Sequence, residues 1–206
     1  MSELPPVNQA PVITTIPSLT AIAGVVYTYD VNATDPDGDT LAYSLATGTS
    51  MIIDSTTGVI IWFPTGVGSF PVIVQVSDGE LSDTQSFTIT VIAGTATKLL
   101  WVKQPAVLVT SEDPWDLFSI EITDKYDNRR ISDDASEITI ITEGAGTLTG
   151  GTFTETVVDG LATFDAFTYT LAEPPAAEII TIIGSSGDLT PTDNSVPVTV
   201  EPVPVG

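Results

Sequence analysis

The sequence predicts an all-β protein of two tandem β-sandwich domains, each with about seven strands. Apolar and polar residues alternate over short runs: between residues 25 and 33, Tyr27, Tyr29, Val31 and Ala33 fall on one face. This period of two is the pattern of a half-buried strand. Turn residues such as Gly, Pro, Asp and Asn separate these runs at short intervals, and no run shows a helical period. Many short strands at regular spacing are typical of a sandwich.

The alternating runs divide into two sets with a break between them. The first set predicts strands at 12–16, 18–23, 25–33, 41–45, 51–54, 59–63, 69–76 and around 87–91. The second set predicts strands at 99–103, 106–110, 117–123, 137–142, 152–158, 161–168, 178–183 and 196–201. Turn signals such as residues 77–79 and Asp159-Gly160 close the reversals between them.

A length of 206 residues suits two domains of about 100 residues each. We expect a linker at 1–7, a first domain at 8–93, a junction at 94–97, a second domain at 98–201 and a linker at 202–206. The first residues lack the basic and apolar regions of a signal peptide. Because both ends read as proline-rich linkers, we expect a piece of a longer protein that is secreted or held at the cell surface.

The charge balance excludes several partners. The chain has 27 acidic and 5 basic residues, a formal net charge of −22, and no Lys or Arg before Lys98. Such a surface repels phosphate backbones and anionic lipid, so nucleic-acid binding and direct membrane insertion are not expected. With no cysteine and no histidine, disulfides, thiol nucleophiles, serine-histidine relays and the common zinc sites are excluded.

The sharpest chemical signal is the acidic turn, which we define as residues 35–40, Asp-Pro-Asp-Gly-Asp-Thr. Three carboxylates at alternate positions repel one another unless a cation lies among them, and calcium prefers such oxygen ligands. An EF-hand loop is excluded, because counting from Asp35 its sixth and twelfth positions are Thr40 and Ala46, not Gly and an acid. The alternative is a plain solvated turn, since Asp, Pro and Gly favour turns for backbone reasons.

Several separated motifs between residues 8 and 92 occur in a characteristic order. They are Asn8-Gln-Ala-Pro11, Tyr27-x-Tyr29-x-Val31-x-Ala33, the acidic turn with Leu41-x-Tyr43, Gly58-x-Ile60-x-Trp62-x-Pro64, and Val74-x-Val76-Ser-Asp78-Gly79. In this order they resemble the dystroglycan-type cadherin-like modules and the bacterial Ig-like modules of extracellular proteins. The resemblance implies an Ig-like/cadherin-like sandwich with calcium bound at one pole. Its metal ligands would be Asp35, Asp37 and Asp39, joined by Asp78 and Asn8.

The second domain resembles the bacterial Ig-like repeats of large surface adhesins over residues 96–200. The resemblance rests on Ala96-Thr-Lys-Leu-Leu-Trp101, on Ile122-Thr-Asp124-x-Tyr126-x-Asn128 and on Asp159-Gly160-x-Ala162-Thr-Phe164. Asp127 stands where these repeats usually carry Gly. The junction at 94–97 has no acid, so we expect a calcium site to face a module preceding this chain.

These observations predict a non-catalytic structural or adhesion module that binds calcium through its first domain. Its expected partners are adjacent Ig-like or cadherin-like modules of the same protein, and a surface glycan or protein is a further candidate. The adjacent acids Glu112 and Asp113, and Asp133 and Asp134, read as solvated surface rather than as a hydrolase pair. An isopeptide crosslink between Lys98 or Lys103 and Asn194 is a minor alternative.

The alternative function is a carbohydrate-binding accessory module of an extracellular polysaccharide-active enzyme. Such modules use exposed aromatic rings. Trp62 and Trp101 lie inside strand-like runs, where we expect them to be core residues. Trp115, flanked by acids, is the one plausible exposed ring, but a single ring is not a binding platform, and we expect it rather to cap the end of the sandwich.

Overall fold

The computed structural model describes residues 7–48, 50–106, 108–110, 114–150, 153–165, 167–171, 177–192 and 198–202. It divides into two compact units, residues 1–94 and 95–206. The described residues form strands and turns without any helix, which confirms the predicted all-β class. The limits predicted for the linkers and the junction stay predictions.

The described residues of the first unit form nine strands. They are β1 (Val12–Ile13), β2 (Thr20–Ile22), β3 (Tyr27–Asp30), β4 (Ala33–Thr34), β5 (Ala42–Thr47), β6 (Ile52–Ile53), β7 (Val59–Trp62), β8 (Gly68–Ser77) and β9 (Ser82–Ile92). One sheet has the order β2-β9-β8-β5, the other has the order β3-β7-β6, and β1 pairs with β4. In the larger sheet, β2 and β9, which come first and last along the chain, are neighbours and run parallel, with Thr20 beside Thr90.

The core of the first unit lies between these two sheets. Tyr27, Tyr29 and Val31 face inward as predicted, with 7%, 7% and 0% of their surface exposed. The hydroxyl of Tyr27 donates to the carbonyl of Ser18 at 2.7 Å, and burial, with a smaller contribution from Tyr29, raises its pKa to about 12. Trp62 is buried and meets Phe70 edge to face at 4.9 Å between ring centroids.

The structure divides two of the predicted strands, 25–33 in this unit and 161–168 in the second unit, where Leu161–Phe164 and Phe167–Thr170 are separate strands. Residues 25–33, predicted as a single strand, are two strands, because the chain changes partner between them. Tyr27 to Asp30 pair with β7, whereas Ala33 and Thr34 pair with β1. Between them, the Val31 N–H donates to Gly58 at 3.2 Å and the Asn32 carbonyl accepts from Thr14 at 2.8 Å.

The described residues of the second unit form ten strands. They are β10 (Lys98–Lys103), β11 (Leu108–Thr110), β12 (Phe118–Thr123), β13 (Glu137–Glu143), β14 (Thr147–Gly150), β15 (Thr154–Thr156), β16 (Leu161–Phe164), β17 (Phe167–Thr170), β18 (Glu178–Ser185) and β19 (Val198–Glu201). The sheets have the orders β11-β19-β18-β13-β15, β10-β12-β16 and β14-β17. Strands β11 and β19 run parallel. Aromatic rings fill the core, where Phe118 stacks on Phe164 and Phe167 at 5.3 and 5.5 Å.

Candidate metal centre

The acidic turn connects β4 to β5 and is closed by its own first side chain. One carboxylate oxygen of Asp35, Oδ1, accepts hydrogen bonds from the backbone N–H groups of Asp37 at 2.8 Å and Asp39 at 3.3 Å. The Asp35 carbonyl accepts the N–H of Gly38 at 3.3 Å. Gly38 has a φ of +81°, a conformation that glycine adopts without a Cβ penalty. The turn thus holds its acidic side chains in a fixed local frame.

Three carboxylates converge at this turn. Ligand oxygens of Asp35, Asp37 and Asp39 all lie within 4.8 Å of one another. The second oxygen of Asp35, Oδ2, is shielded from solvent and has no hydrogen-bond partner among the described residues. An unpaired buried carboxylate oxygen is costly. A hard cation would offset both that cost and the mutual repulsion, so this donor set fits calcium.

The segment that enters the first unit is bound to the same turn. The backbone N–H of Gln9 donates to Asp37 Oδ2 at 2.8 Å, and the side-chain amide of Gln9 donates to Asp37 Oδ1 at 3.4 Å. The neighbouring Asn8 amide donates to Asp78 Oδ2 at 3.1 Å. Two consecutive residues therefore link Asp37 to Asp78, which lies in the turn between β8 and β9.

The five predicted ligand residues form two connected sets. Asp35, Asp37 and Asp39 make one group, and Asp78 with Asn8 makes the other, joined to the first through Gln9. Asp78 Oδ1 accepts the N–H groups of Glu80 and Leu81, both at 2.7 Å. The bond from Leu81, then that from Glu80, holds the pKa of Asp78 below its ordinary value, with a smaller contribution from Asn8.

Sequence reasoning missed Asp83, which also ties down the entering segment. Asp83 Oδ2 accepts the backbone N–H of Ile13 in β1 at 2.9 Å. The sequence did contain a signal, the alternation of sides along β9. Asp83 lies on the more shielded side of this strand, together with Gln85 and Phe87. A carboxylate at such a position needs a hydrogen-bond donor, and β1 supplies one.

The second unit has an acidic turn of a different kind. Asp124 is 1% exposed, and its Oδ1 accepts the backbone N–H groups of Tyr126 at 2.8 Å and Asn128 at 3.1 Å. The Asn128 side-chain amide adds bonds to both Asp124 oxygens. Asp127 has a φ of 68° and forms an ion pair with Lys98. Because these donors occupy the Asp124 carboxylate, this turn closes a loop rather than forming a ligand group.

Trp115 is not an exposed ring, and that part of the carbohydrate hypothesis is wrong. The side chain is 6% exposed and belongs to the core of the second unit. The Trp115 backbone N–H donates to the Phe167 carbonyl at 2.8 Å, which holds the residue beside the first residue of β17. Trp62 is core as predicted, and Trp101 is half-buried against Phe118 at 6.0 Å between centroids.

The remaining acid pairs show structural roles where they are described. Asp133 accepts from the backbone N–H and the hydroxyl of Ser136, and Asp134 accepts the N–H of Asp159 at 2.7 Å. Glu112 and Asp113 lie outside the described residues, as does Asn194.

Comparisons with known proteins agree with this architecture. Residues 10–92 match a family model described as "Putative Ig domain". The EC1-2 fragment of human protocadherin-24 is 14% identical, with 96% of this chain and 100% of that chain covered at a TM-score of 0.52. The extracellular domain of protocadherin GammaB4 is 20% identical, with 95% of this chain and 32% of that chain covered at a TM-score of 0.54. The protein has an Ig-like/cadherin-like fold.

An endo-fucoidan hydrolase of glycoside hydrolase family 107 is also similar, at 16% identity and a TM-score of 0.40. The alignment covers 94% of this chain but only 29% of that enzyme. Likeness at this level carries nothing about activity. No curated protein sequence matches the chain. Among the described residues, no helix has the length and apolar character needed to cross a bilayer.

Proposed function

We propose that this chain is a non-catalytic structural or adhesion module of a larger secreted or cell-surface protein, and that its first unit binds calcium at the acidic turn. The convergence of Asp35, Asp37 and Asp39 within 4.8 Å carries the proposal. The Ig-like/cadherin-like fold and the strongly acidic composition support it. Adjacent modules of the same protein are the proposed partners.

The chain's own residues explain why such a site would affect the segment that enters the first unit. Asp37 contributes to the ligand group and also accepts two hydrogen bonds from Gln9. Asp78 accepts the amide of Asn8 one residue earlier. A bound divalent cation supplies positive charge that lowers the repulsion among the three carboxylates. The acidic turn that binds Gln9 is then more stable, and the segment entering the unit is more strongly ordered.

Thermal unfolding tests this proposal. After treatment with a chelator, the protein is unfolded with and without millimolar calcium, as wild type and as Asp39→Asn. The Asp35 carboxylate closes the turn, and Asp39 contributes its backbone N–H to that closure, so substituting the Asp39 side chain removes one charged ligand and keeps the closing bond. At calcium 100-fold above its Kd, native-state binding adds about 2.7 kcal/mol, which shifts the melting temperature of a small domain by roughly ten degrees or more.

The matched control is Asp54→Asn. Asp54 is an exposed turn acid of the same unit that accepts the N–H groups of Thr56 and Thr57 and lies outside the ligand group. Wild type and the control should both shift with calcium, while Asp39→Asn should shift much less. Equal transitions with and without calcium in wild type would show that the turn is only a solvated reversal.

A further inference from the structure

The outer face of the β3-β7-β6 sheet carries large apolar side chains in contact with solvent. Ile61 pairs with Ile52 on one side and with Thr28 on the other, and the two isoleucines are 51% and 73% exposed. Val26 and Phe63, one outward position further along, are 54% and 50% exposed. We call Val26, Ile52, Ile61 and Phe63 the apolar face.

The other sheet of the same unit shows what a solvated outer face looks like in this protein. Its outward positions in β8 and β9 are mostly hydroxyl and amide residues that pair across the strands, such as Gln75 with Thr84, Ser77 with Ser82 and Ser69 with Thr90, while the apolar Pro71 and Ile73 each pair with a hydroxyl residue. At one end lies a single isoleucine pair, Ile22 beside Ile92, which is 42% and 48% exposed. The apolar face is therefore not a general property of the strands of this unit.

The sequence of β7 is typical of a strand that is buried on both faces. Residues 59–63 read Val-Ile-Ile-Trp-Phe without a polar residue. Continuous apolar runs are typical of strands buried on both faces, whereas strands with one solvated face alternate. Within the first unit, Ile60 and Trp62 are 1% and 5% exposed while Ile61 remains half exposed. Large contiguous exposed apolar patches mark interaction sites, which makes the apolar face the candidate docking surface of this unit.

Carboxylates border the apolar face on one side. Asp30 pairs with Val59, and the N–H of Asp54 donates to the Val59 carbonyl at 3.0 Å. Both acids are exposed and lie on either side of Val59, which is two residues from Ile61 in β7. Two strand spacings place them about 10 Å apart. No lysine or arginine occurs before Lys98, so no cation of residues 1–97 offsets these charges.

We propose that the apolar face docks a basic polypeptide segment of a partner protein, with apolar side chains on the isoleucines and lysine or arginine at Asp30 and Asp54. Charge complementarity selects this occupant. A second copy of the chain, at −22, would bring carboxylates to carboxylates, and the headgroups of an anionic membrane would meet the same repulsion. A basic segment gains attraction at the acids and apolar burial at the centre.

The test uses two synthetic nine-residue peptides, one of alternating valine and lysine and one of alternating valine and glutamate. Each is titrated in chelator into the full 15N-labelled chain, with amide shifts followed by NMR. The lysine peptide should shift amides of β3, β6 and β7, and the glutamate peptide should not bind. The double variant Ile52→Thr/Ile61→Thr should weaken lysine-peptide binding at least tenfold. Asp30→Asn/Asp54→Asn should weaken it and reduce its salt dependence.

The matched control is Ile22→Thr/Ile92→Thr, which removes the exposed isoleucine pair of the other sheet. It should bind like wild type. Equal weakening by both isoleucine variants, shifts confined to residues 35–39, or no binding at millimolar peptide would overturn the proposal. A wild-type dimer in sedimentation that Ile52→Thr/Ile61→Thr abolishes would also overturn it, because a second copy would then cover the face.

Discussion

The side-chain amide of Asn8 donates a 3.1 Å hydrogen bond to the carboxylate of Asp78, 70 positions later in the chain. This bond joins the segment that precedes β1 to the turn between β8 and β9. Since Gln9 binds Asp37 and Ile13 binds Asp83, three carboxylates hold the entrance of the first unit along six residues.

Removing the first of these bonds should loosen the entrance without unfolding the unit. In Asn8→Ala, we expect the amide protons of Gln9 and Ile13 to exchange with solvent several-fold faster, while amides of β8 and β9 stay protected, because termini open locally at low free energy. Hydrogen exchange in chelator measures this. Asn32→Ala is the control, since the one hydrogen bond of that side-chain amide among the described residues is a 3.5 Å contact with the Asp30 carbonyl. Unchanged exchange at Gln9 would show that the Asn8 bond does not order the segment.

Asp78 should titrate below the ordinary range of aspartate. The N–H groups of Leu81 and Glu80 stabilise its ionised form and lower its pKa. A lowered folded-state pKa contributes stability above the unfolded-state pKa of about 3.9, and that stability is lost as pH falls through the folded-state value. Carbon-13 NMR of the side-chain carboxyl measures the midpoint directly. A midpoint at or above 3.9 would contradict the hydrogen bonding described for this turn.

Gly58 should tolerate no side chain. Its φ is +75°, and a Cβ there would lie 2.4 Å from the Val31 carbonyl oxygen and 3.1 Å from the Tyr43 ring. We expect Gly58→Ala to destabilise the first unit by about 2 kcal/mol or more, from strain and from the displaced contacts. Urea unfolding measures the loss. Gly66→Ala is the control, because a Cβ at Gly66 would meet no described atom within 4 Å, and equal effects of the two substitutions would refute the close approach.

Asp124 should be a stability determinant of the second unit. Asp124→Ala leaves the partly buried N–H groups of Tyr126 and Asn128 without their carboxylate acceptor. A fully buried unsatisfied donor costs about 1–3 kcal/mol, so we expect a loss of about 1 kcal/mol or more for this partly buried pair. Urea unfolding should therefore show a lower midpoint for the second unit and an unchanged first unit. Asp116→Ala, at an exposed acid, serves as the control. A wild-type midpoint in Asp124→Ala would mean that solvent satisfies these donors.

The alternation of apolar residues was sufficient to predict the fold class, because the inward positions of β3, β7 and β8 follow a period of two. It could not separate β3 from β4, since the change of partner at Val31 depends on Gly58 and Thr14, which lie far away in the sequence. Local composition also did not locate Trp115, for which the acidic neighbours allowed an exposed ring although a cap of the sandwich end was the preferred expectation. The Phe167 carbonyl that holds it comes from another strand.

For the acidic turn, the sequence placed Asp35, Asp37 and Asp39 at alternate positions within five residues, and the structure brings ligand oxygens of all three within 4.8 Å of one another. The attachment of this turn to Gln9, and the role of Asp83 at Ile13, depend on which turns the sheets bring to one end of the unit. Sequence spacing does not contain that information. The calcium ligands themselves stay a prediction that the unfolding experiment tests.

The parallel pairing of an early strand with the final strand, β2 with β9 and β11 with β19, determines how each unit would respond to tension. In each parallel pair, the chain enters the early strand at one end of the ladder and leaves the final strand at the opposite end. Pulling on the two ends of a unit therefore slides one strand along the other and loads the hydrogen bonds of the pair in shear, all at once. An antiparallel pair pulled from the same edge would instead open one bond at a time. Each unit thus contains one ladder that is loaded in shear, although tension at the amino-terminal end first reaches the antiparallel pairs of β1 with β4 and β10 with β12.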